Sequence, residues 1–438
     1  MLLSLNKMKI FIILIFLLSN FFSLASANEL IIFLESAYKN NPQINAQREN
    51  LKAIKENVNI SKSKFLPTIS LSGDINSVES YNKNDTSGLK LPDSNSNKET
   101  RTISVDQKIF QGFENFNLLK KSELEVEQAR YQLIQIEQEV ILDSVFAYFD
   151  LIFKLKNKNF NLKNVSLFER QVETDSARLQ KGEITLADLA QSESSLADAN
   201  AKFIASETDL VTAKTDFERI TGLKFPEKFE ESFRFNIKLP NNLIEALEIA
   251  KKNNPRLIIA KLDYEISKKN VEIQKAQLSP SASINFSKSK NRDFSSTVDK
   301  ADQDSLKATL TWPITKGGEN YFSLKKAKYK REQSNLLLND VENLVKSDIT
   351  NAWSGYQSTG SVLNATKAQV EAAEIANEGI TLEYESGNNR TTLELIQSRS
   401  LLLNASISNA KAKRDFVFSK FKLLDQIGKL TLNNIKNN

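Results

Sequence analysis

The 438-residue sequence contains no cysteine and no histidine. Those absences remove disulfides, thiolate and imidazole metal sites, cysteine or histidine catalysis, and a lipid-bearing N-terminal cysteine. An enzyme built on carboxylates alone remains possible in principle. No strand-borne nucleophile, phosphate loop or paired-acid motif accompanies them, so no enzyme, cofactor or metal is expected. Glycine (12) and proline (8) are scarce, and six of the glycines stand at matched junctions of a duplicated pattern. Such scarcity fits long uninterrupted helices. After residue 27 no run of 18 apolar residues occurs, so no membrane-spanning helix is expected in the mature chain. A concentrated basic stripe is also missing. The net charge of +5 is spread over interspersed Lys and Asp/Glu, and nucleic acid is not an expected partner.

What is present begins with Lys7 and Lys9, the apolar run Ile10–Leu24 and the small-residue ending Ala25-Ser26-Ala27. This is the pattern of a cleaved secretory signal peptide over residues 1–27. With 40% hydrophobic and 26% charged residues over its full length, the chain is neither disordered nor a helical membrane protein.

Between Gly112 and Gly182 lie about 69 residues without Pro or Gly. As one helix they would extend on the order of 100 Å. A short turn over about 181–185 follows, and then a heptad pattern with Leu189, Leu196, Phe203, Leu210 and Phe217 at every seventh place. Three places after the first four stand Ser192, Ala199, Ser206 and Ala213. Large residues alternating with small ones let two helices approach closely, so the unit reads as a long helical hairpin. It occurs twice. Gly317 and Gly387 stand 205 residues after Gly112 and Gly182, and the second seam carries Ser398, Ala405, Ala412 and Ser419. Leu30–Pro42 matches Leu243–Pro255 in the same way. The expected layout is a first repeat over 28–222, a linker over 223–242, a second repeat over 243–428 with its tip turn near 386–390, and a tail over 429–438.

Each repeat also holds two alternating stretches, about 68–81 and 102–110 in the first and 281–287 and 305–312 in the second. Ile69, Leu71 and Ile75 alternate with Ser70, Ser72 and Asp74; Ala282, Ile284 and Phe286 alternate with Ser283, Asn285 and Ser287. Strands of about ten residues with one oily and one polar face suit a membrane barrel. Asn82–Glu99 and Lys288–Asp304 read as polar loops. Four strands close no barrel and open edges do not exist in lipid, so several copies would each contribute two hairpins.

The duplicated Asn-Pro helix starts, Leu66-Pro67 and Ser279-Pro280 ahead of strands, Phe110-Gln111-Gly112, and Arg219-Ile220-Thr221-Gly222 occur in one order and spacing. In that order the chain resembles the TolC-like outer-membrane factor family. The resemblance implies a mainly α fold with a small membrane β-barrel, built from duplicated helix-strand-strand-helix units. It implies a homotrimer forming a 12-stranded outer-membrane barrel, four strands per chain, above an α-helical barrel in the periplasm. It further implies a passive exit duct of a tripartite efflux pump or type I secretion system. Its partners would be a periplasmic adaptor (membrane fusion protein), an inner-membrane transporter of ABC, RND or MFS type, and outer-membrane lipid. The alternative is a periplasmic coiled-coil adaptor without a pore, which would share the signal peptide and hairpin but not the duplicated strand pairs.

The resemblance also assigns the tips. Tyr384 and Gly387 match the family pattern, and Arg390 matches after one extra residue. Glu394 takes the place of the first inward acid at the aperture, and Gln397 replaces the second. Asp188 in the first tip, beyond the turn glycine Gly182, takes the place of the acid that bonds the tyrosine and arginine of the second tip, forming a latch.

Overall fold

The computed structural model describes residues 28–225, 238–295, 298–386 and 390–436. The expected signal peptide, the middle of the expected linker and Gly387 lie outside the described residues. The elements are α1 (Asn28–Asn40), α2 (Pro42–Ser63), β1 (Thr68–Ser80), β2 (Ser94–Gln111), α3 (Glu114–Gln180) and α4 (Leu186–Thr221), then α5 (Leu243–Asn253), α6 (Pro255–Ala276), β3 (Ser281–Ser295), β4 (Val298–Thr311), α7 (Glu319–Glu385), α8 (Thr392–Gln426) and the short α9 (Leu432–Lys436). One order of elements is thus used twice, and α3 and α7 have 67 residues each. The chain divides into two compact units. One comprises 1–48, 131–258 and 341–438, and the other 49–130 and 259–340. Each sequence repeat contributes to both.

The second unit holds a four-stranded antiparallel sheet in the order β1-β2-β3-β4, so the two repeats join through β2 and β3. Register places Ile69, Val105, Phe286 and Leu306 in one row across all four strands. Ser70, Ser104, Ser287 and Ser305 form the next row, on the opposite face. The apolar face is open: Ile69, Leu71, Ile75, Ile284, Phe286, Leu306 and Leu310 are between 40% and 81% exposed. The polar face is knit by its own side chains, with Ser70 and Ser104 hydroxyls 2.7 Å apart and Asn285 donating to Asp106 at 2.7 Å. β1 and β4 are open edges within the chain.

Three strands run past their expected ends. β2 begins at Ser94 instead of near 102, β3 continues to Ser295, and β4 begins at Val298. Most of the segment read as the loop Lys288–Asp304 is therefore paired strand. Alternation of oily residues reports only where a face is apolar; beyond it, polar contacts hold the ladder. Thr100 donates to Asn291 at 2.9 Å and Ser77 to Asn97 at 2.7 Å.

At the strand-to-helix turn Gly112 has φ 58°, and a Cβ there would lie 2.6 Å from the Ala276 carbonyl oxygen. Only glycine satisfies both the left-handed backbone and that approach. Asn115 then donates to the Lys64 carbonyl and Asn320 to the Gln277 carbonyl, both at 3.1 Å, an equivalent contact in each repeat.

The first unit is helical. Phe33, Tyr148, Phe217 and Phe225 form an aromatic cluster, with Phe33 and Phe217 centroids 4.9 Å apart and edge-on, a favoured ring geometry. The small seam residues Ser192, Ala199, Ser206 and Ala213 are all buried; of the large ones, Leu210 and Phe217 are buried and Leu189, Leu196 and Phe203 partly so. Ala199 packs on Val165 and Phe168 of α3.

The Asn-Pro helix starts have a second purpose. Asn41 Oδ1 accepts from the Gln43 amide while its Nδ2 donates to the Ile220 carbonyl at 3.4 Å. Asn254 likewise accepts from the Leu257 amide and donates to the Gln426 carbonyl at 2.7 Å. One asparagine therefore caps the start of one helix and the end of another, satisfying orphan groups at both. Gly428, with φ 73°, lies so close that a Cβ would meet the Asn253 carbonyl oxygen at 2.2 Å.

Candidate functional site

The helices that follow the two hairpin turns belong to the helical unit and start alike. Each descending helix starts with a reciprocal capping box. In the first, the Thr185 amide donates to Asp188 Oδ2 at 2.9 Å and the Asp188 amide donates to Thr185 Oγ1 at 3.2 Å. In the second, the Thr391 amide donates to Glu394 Oε2 at 2.9 Å and the Glu394 amide to Thr391 Oγ1 at 3.2 Å. Gly182 turns the first tip with φ 75°. Hydrogen bonds from the Thr185 side chain and amide hold the Asp188 carboxyl below its ordinary pKa. The Thr391 amide, and then Arg390, do the same for Glu394.

Arg390 sits between two acids, 2.5 Å from Glu383 and 3.0 Å from Glu394. Hydrogen bonding to that pair raises its pKa. Glu394 and Gln397 are three residues apart on α8; Glu394 is partly exposed and Gln397 exposed.

Within this chain the three residues assigned to the latch do not bond one another. Asp188 is engaged with Thr185 of its own turn, and Arg390 with Glu383 and Glu394 of its own hairpin. Tyr384 is buried, and its hydroxyl donates to Asp175 at 2.7 Å. The intrachain arrangement has a local cause. A carboxylate at the third helical position is drawn to the free amides of its own helix start, whereas Asp175, on α3, is fully buried where the hairpins meet.

Asp175 is the centre of a network that sequence reading missed. It accepts from Ser192 of α4 at 2.5 Å, from Tyr384 of α7 at 2.7 Å and from Gln171 of α3 at 2.9 Å. Arg399 of α8 donates to Gln171 Oε1 at 3.1 Å. The Arg178 guanidinium lies 4.8 Å above the Tyr384 ring, a cation–π distance. Four helices from both repeats thus share one network built around a buried carboxylate. Burial raises the Tyr384 pKa and lowers that of Arg399. The signal available in the sequence was an acid in register with the small seam residue Ser192. No group of three or more acids suited to a metal occurs among the described residues.

A model of the family described as outer membrane efflux protein matches residues 33–223 and 246–428. The chain belongs to that family. It is 27% identical over 401 residues to outer membrane efflux protein BepC of Brucella suis, covering 91% of this chain and 85% of that one. It is 24% identical over 431 residues to outer membrane protein TolC of Escherichia coli, covering 94% and 85%. The fold is that of the Campylobacter jejuni CmeC outer membrane channel, with a TM-score of 0.80 at 15% identity over 92% of this chain and 85% of the other. This efflux protein is accordingly an outer-membrane channel for efflux or secretion, extending into the periplasm, and not an enzyme. The reading as a pore-less adaptor is set aside on this membership.

Proposed function

We propose that three copies of the chain assemble into a duct through which an inner-membrane transporter of ABC, RND or MFS type, coupled by a periplasmic adaptor, expels its cargo. The observation that carries this reading is the sheet. It has a largely exposed apolar face and two open edges. Unpaired edge groups in hydrocarbon cost several kcal/mol each, so such a sheet is stable in lipid only when copies close it into a barrel. Three copies of four strands make twelve. The duct itself is passive.

In this reading the hairpin turns form the periplasmic aperture. Glu394 supplies a ring of three carboxylates, and Gln397 adds hydrogen-bonding capacity without charge. Arg390 holds Glu394 in place, and the Asp175 network, which includes Tyr384, keeps the two hairpins of one chain together. Asp188 and Gly182 shape the first turn. Recruitment of the adaptor and transporter would spread the turns.

The test is the outer-membrane fraction run unboiled on a denaturing gel, with mass measured in detergent. A heat-labile species of three subunits supports the duct. A monomer in that fraction overturns it. Replacing outward Ile284 by Arg should impair insertion by about 2–4 kcal/mol if near the midplane, and inward Ser283→Arg by much less.

A further inference from the structure

On the apolar face of the sheet the oily residues end along an oblique line: Leu306 on β4, Phe286 on β3, Ile103 on β2 and Ile75 on β1. An oblique edge is what tilted membrane strands produce. Beyond it, toward the strand ends remote from the helices, the same face becomes basic. Lys288 follows Phe286, and Arg101 follows Ile103. The next rows pair Arg101 directly with Lys290, and Arg292 directly with Lys300. Directly opposed like charges destabilise a strand pair. Two such pairs on one face are therefore costly in the bare chain.

The acids on this face relieve only part of that cost. Glu99 is shared between Arg101 and Arg292, the latter at 3.8 Å. Asp304 pairs with Lys288 at 3.3 Å. Asp302 stands opposite Lys290, yet Lys290 and Lys300 form no ion pair among the described residues. Five cations thus face three acids, immediately above an apolar surface. Given the outer-membrane location and helices in the periplasm, these rows lie at the level of the outer leaflet. An anion that carries acyl chains can neutralise these cations and cover the oily rows below at once.

We propose that Arg101, Lys288, Lys290, Arg292 and Lys300 bind the phosphates of the phosphorylated, multiply acylated glycolipid of the outer leaflet. Its acyl chains lie against Ile103, Phe286 and Leu306. The like-charge rows are then stabilised by the lipid, and the protein carries its own ring of bound lipid.

The test uses the full chain in neutral detergent and a fluorescent bisphosphoryl lipid A as probe, read by anisotropy. Binding should saturate and be displaced by unlabelled bisphosphoryl lipid A, but not by millimolar inorganic phosphate or by phosphatidylglycerol. Arg101→Gln with Lys290→Gln should weaken it by about fivefold per cation removed. Glu99→Gln, which frees both arginines, should strengthen it by a similar factor, a gain that misfolding would not produce. Displacement by phosphatidylglycerol or inorganic phosphate at equal potency, unchanged affinity in the double variant, or no gain in Glu99→Gln would each overturn the proposal.

Discussion

The Tyr384 hydroxyl donates to the Asp175 carboxylate across 2.7 Å, joining the second hairpin to the first. Asp175 keeps two further donors, Ser192 and Gln171. Tyr384→Phe should therefore loosen the tips by about 1–3 kcal/mol, the range for a hydrogen bond to a charged group, without unfolding the helices. Single-channel conductance in a planar bilayer should rise. Asp188→Asn weakens only a helix cap, worth roughly 0.5–2 kcal/mol, and should leave conductance near wild type. The reverse ranking would return the gate to Asp188.

Glu394 is fixed by its own helix start and by Arg390. A threefold ring of such carboxylates should favour cations and bind multivalent ones. Glu394→Gln should abolish most block by trivalent metal complexes added on the periplasmic side, and Gln397→Asp should strengthen it. Since the Glu394 pKa lies below the ordinary glutamate value, wild-type block should persist into mildly acidic solution. Block of Glu394→Gln equal to wild type would move this residue away from the aperture.

Ala199 is 1% exposed and packed on Val165 and Phe168. Leu at this position has no free volume to enter. Ala199→Leu should cost roughly 1–3 kcal/mol, measured by denaturant unfolding. An unchanged midpoint would mean that the helices separate without penalty.

Asp425 is pushed up to about 6 by burial, with the Glu139 and Asp143 carboxylates adding to the shift and Gln426 and Lys422 opposing it. Asp143 is itself raised by burial, with Arg219 opposing. For an acid whose folded pKa is raised, the folded state binds more protons between the unfolded and folded values. Stability then falls as pH rises from about 4 to about 6 and stays reduced above. Asp425→Asn should remove that dependence and be more stable at pH 7, by at most about 3 kcal/mol. Thermal melts across pH 4 to 8 give the comparison; parallel curves for the two proteins would contradict it.

Helix lengths, turn glycines and strand positions were readable from periodicity because each depends on local chemistry. Gly112 and Gly182 bracket α3 closely, and Thr185 and Thr391 announce helix starts by the acid three places on. The polar outer parts of β2, β3 and β4 were not readable, because partner strands hold them and no apolar face marks them. The Asp175 network was hidden for a related reason. Its donors lie 17 and 209 residues away, and an isolated acid on a long polar helix does not disclose burial. The family pattern for the latch fixes residue types but not which carboxylate of its own chain a tyrosine will reach.

The double-ended asparagines bear on how the chain folds. Asn41 bonds a carbonyl 179 residues ahead and Asn254 one 172 residues ahead. Each half is therefore closed by joining its beginning to its end, around a loop holding both strands and the long helix. Contacts of such sequence separation are reached late and slowly. Each half can close without the other, so assembly should proceed in two separable steps. The Asn254→Ala chain should stall with its first half shut and its second half open to protease.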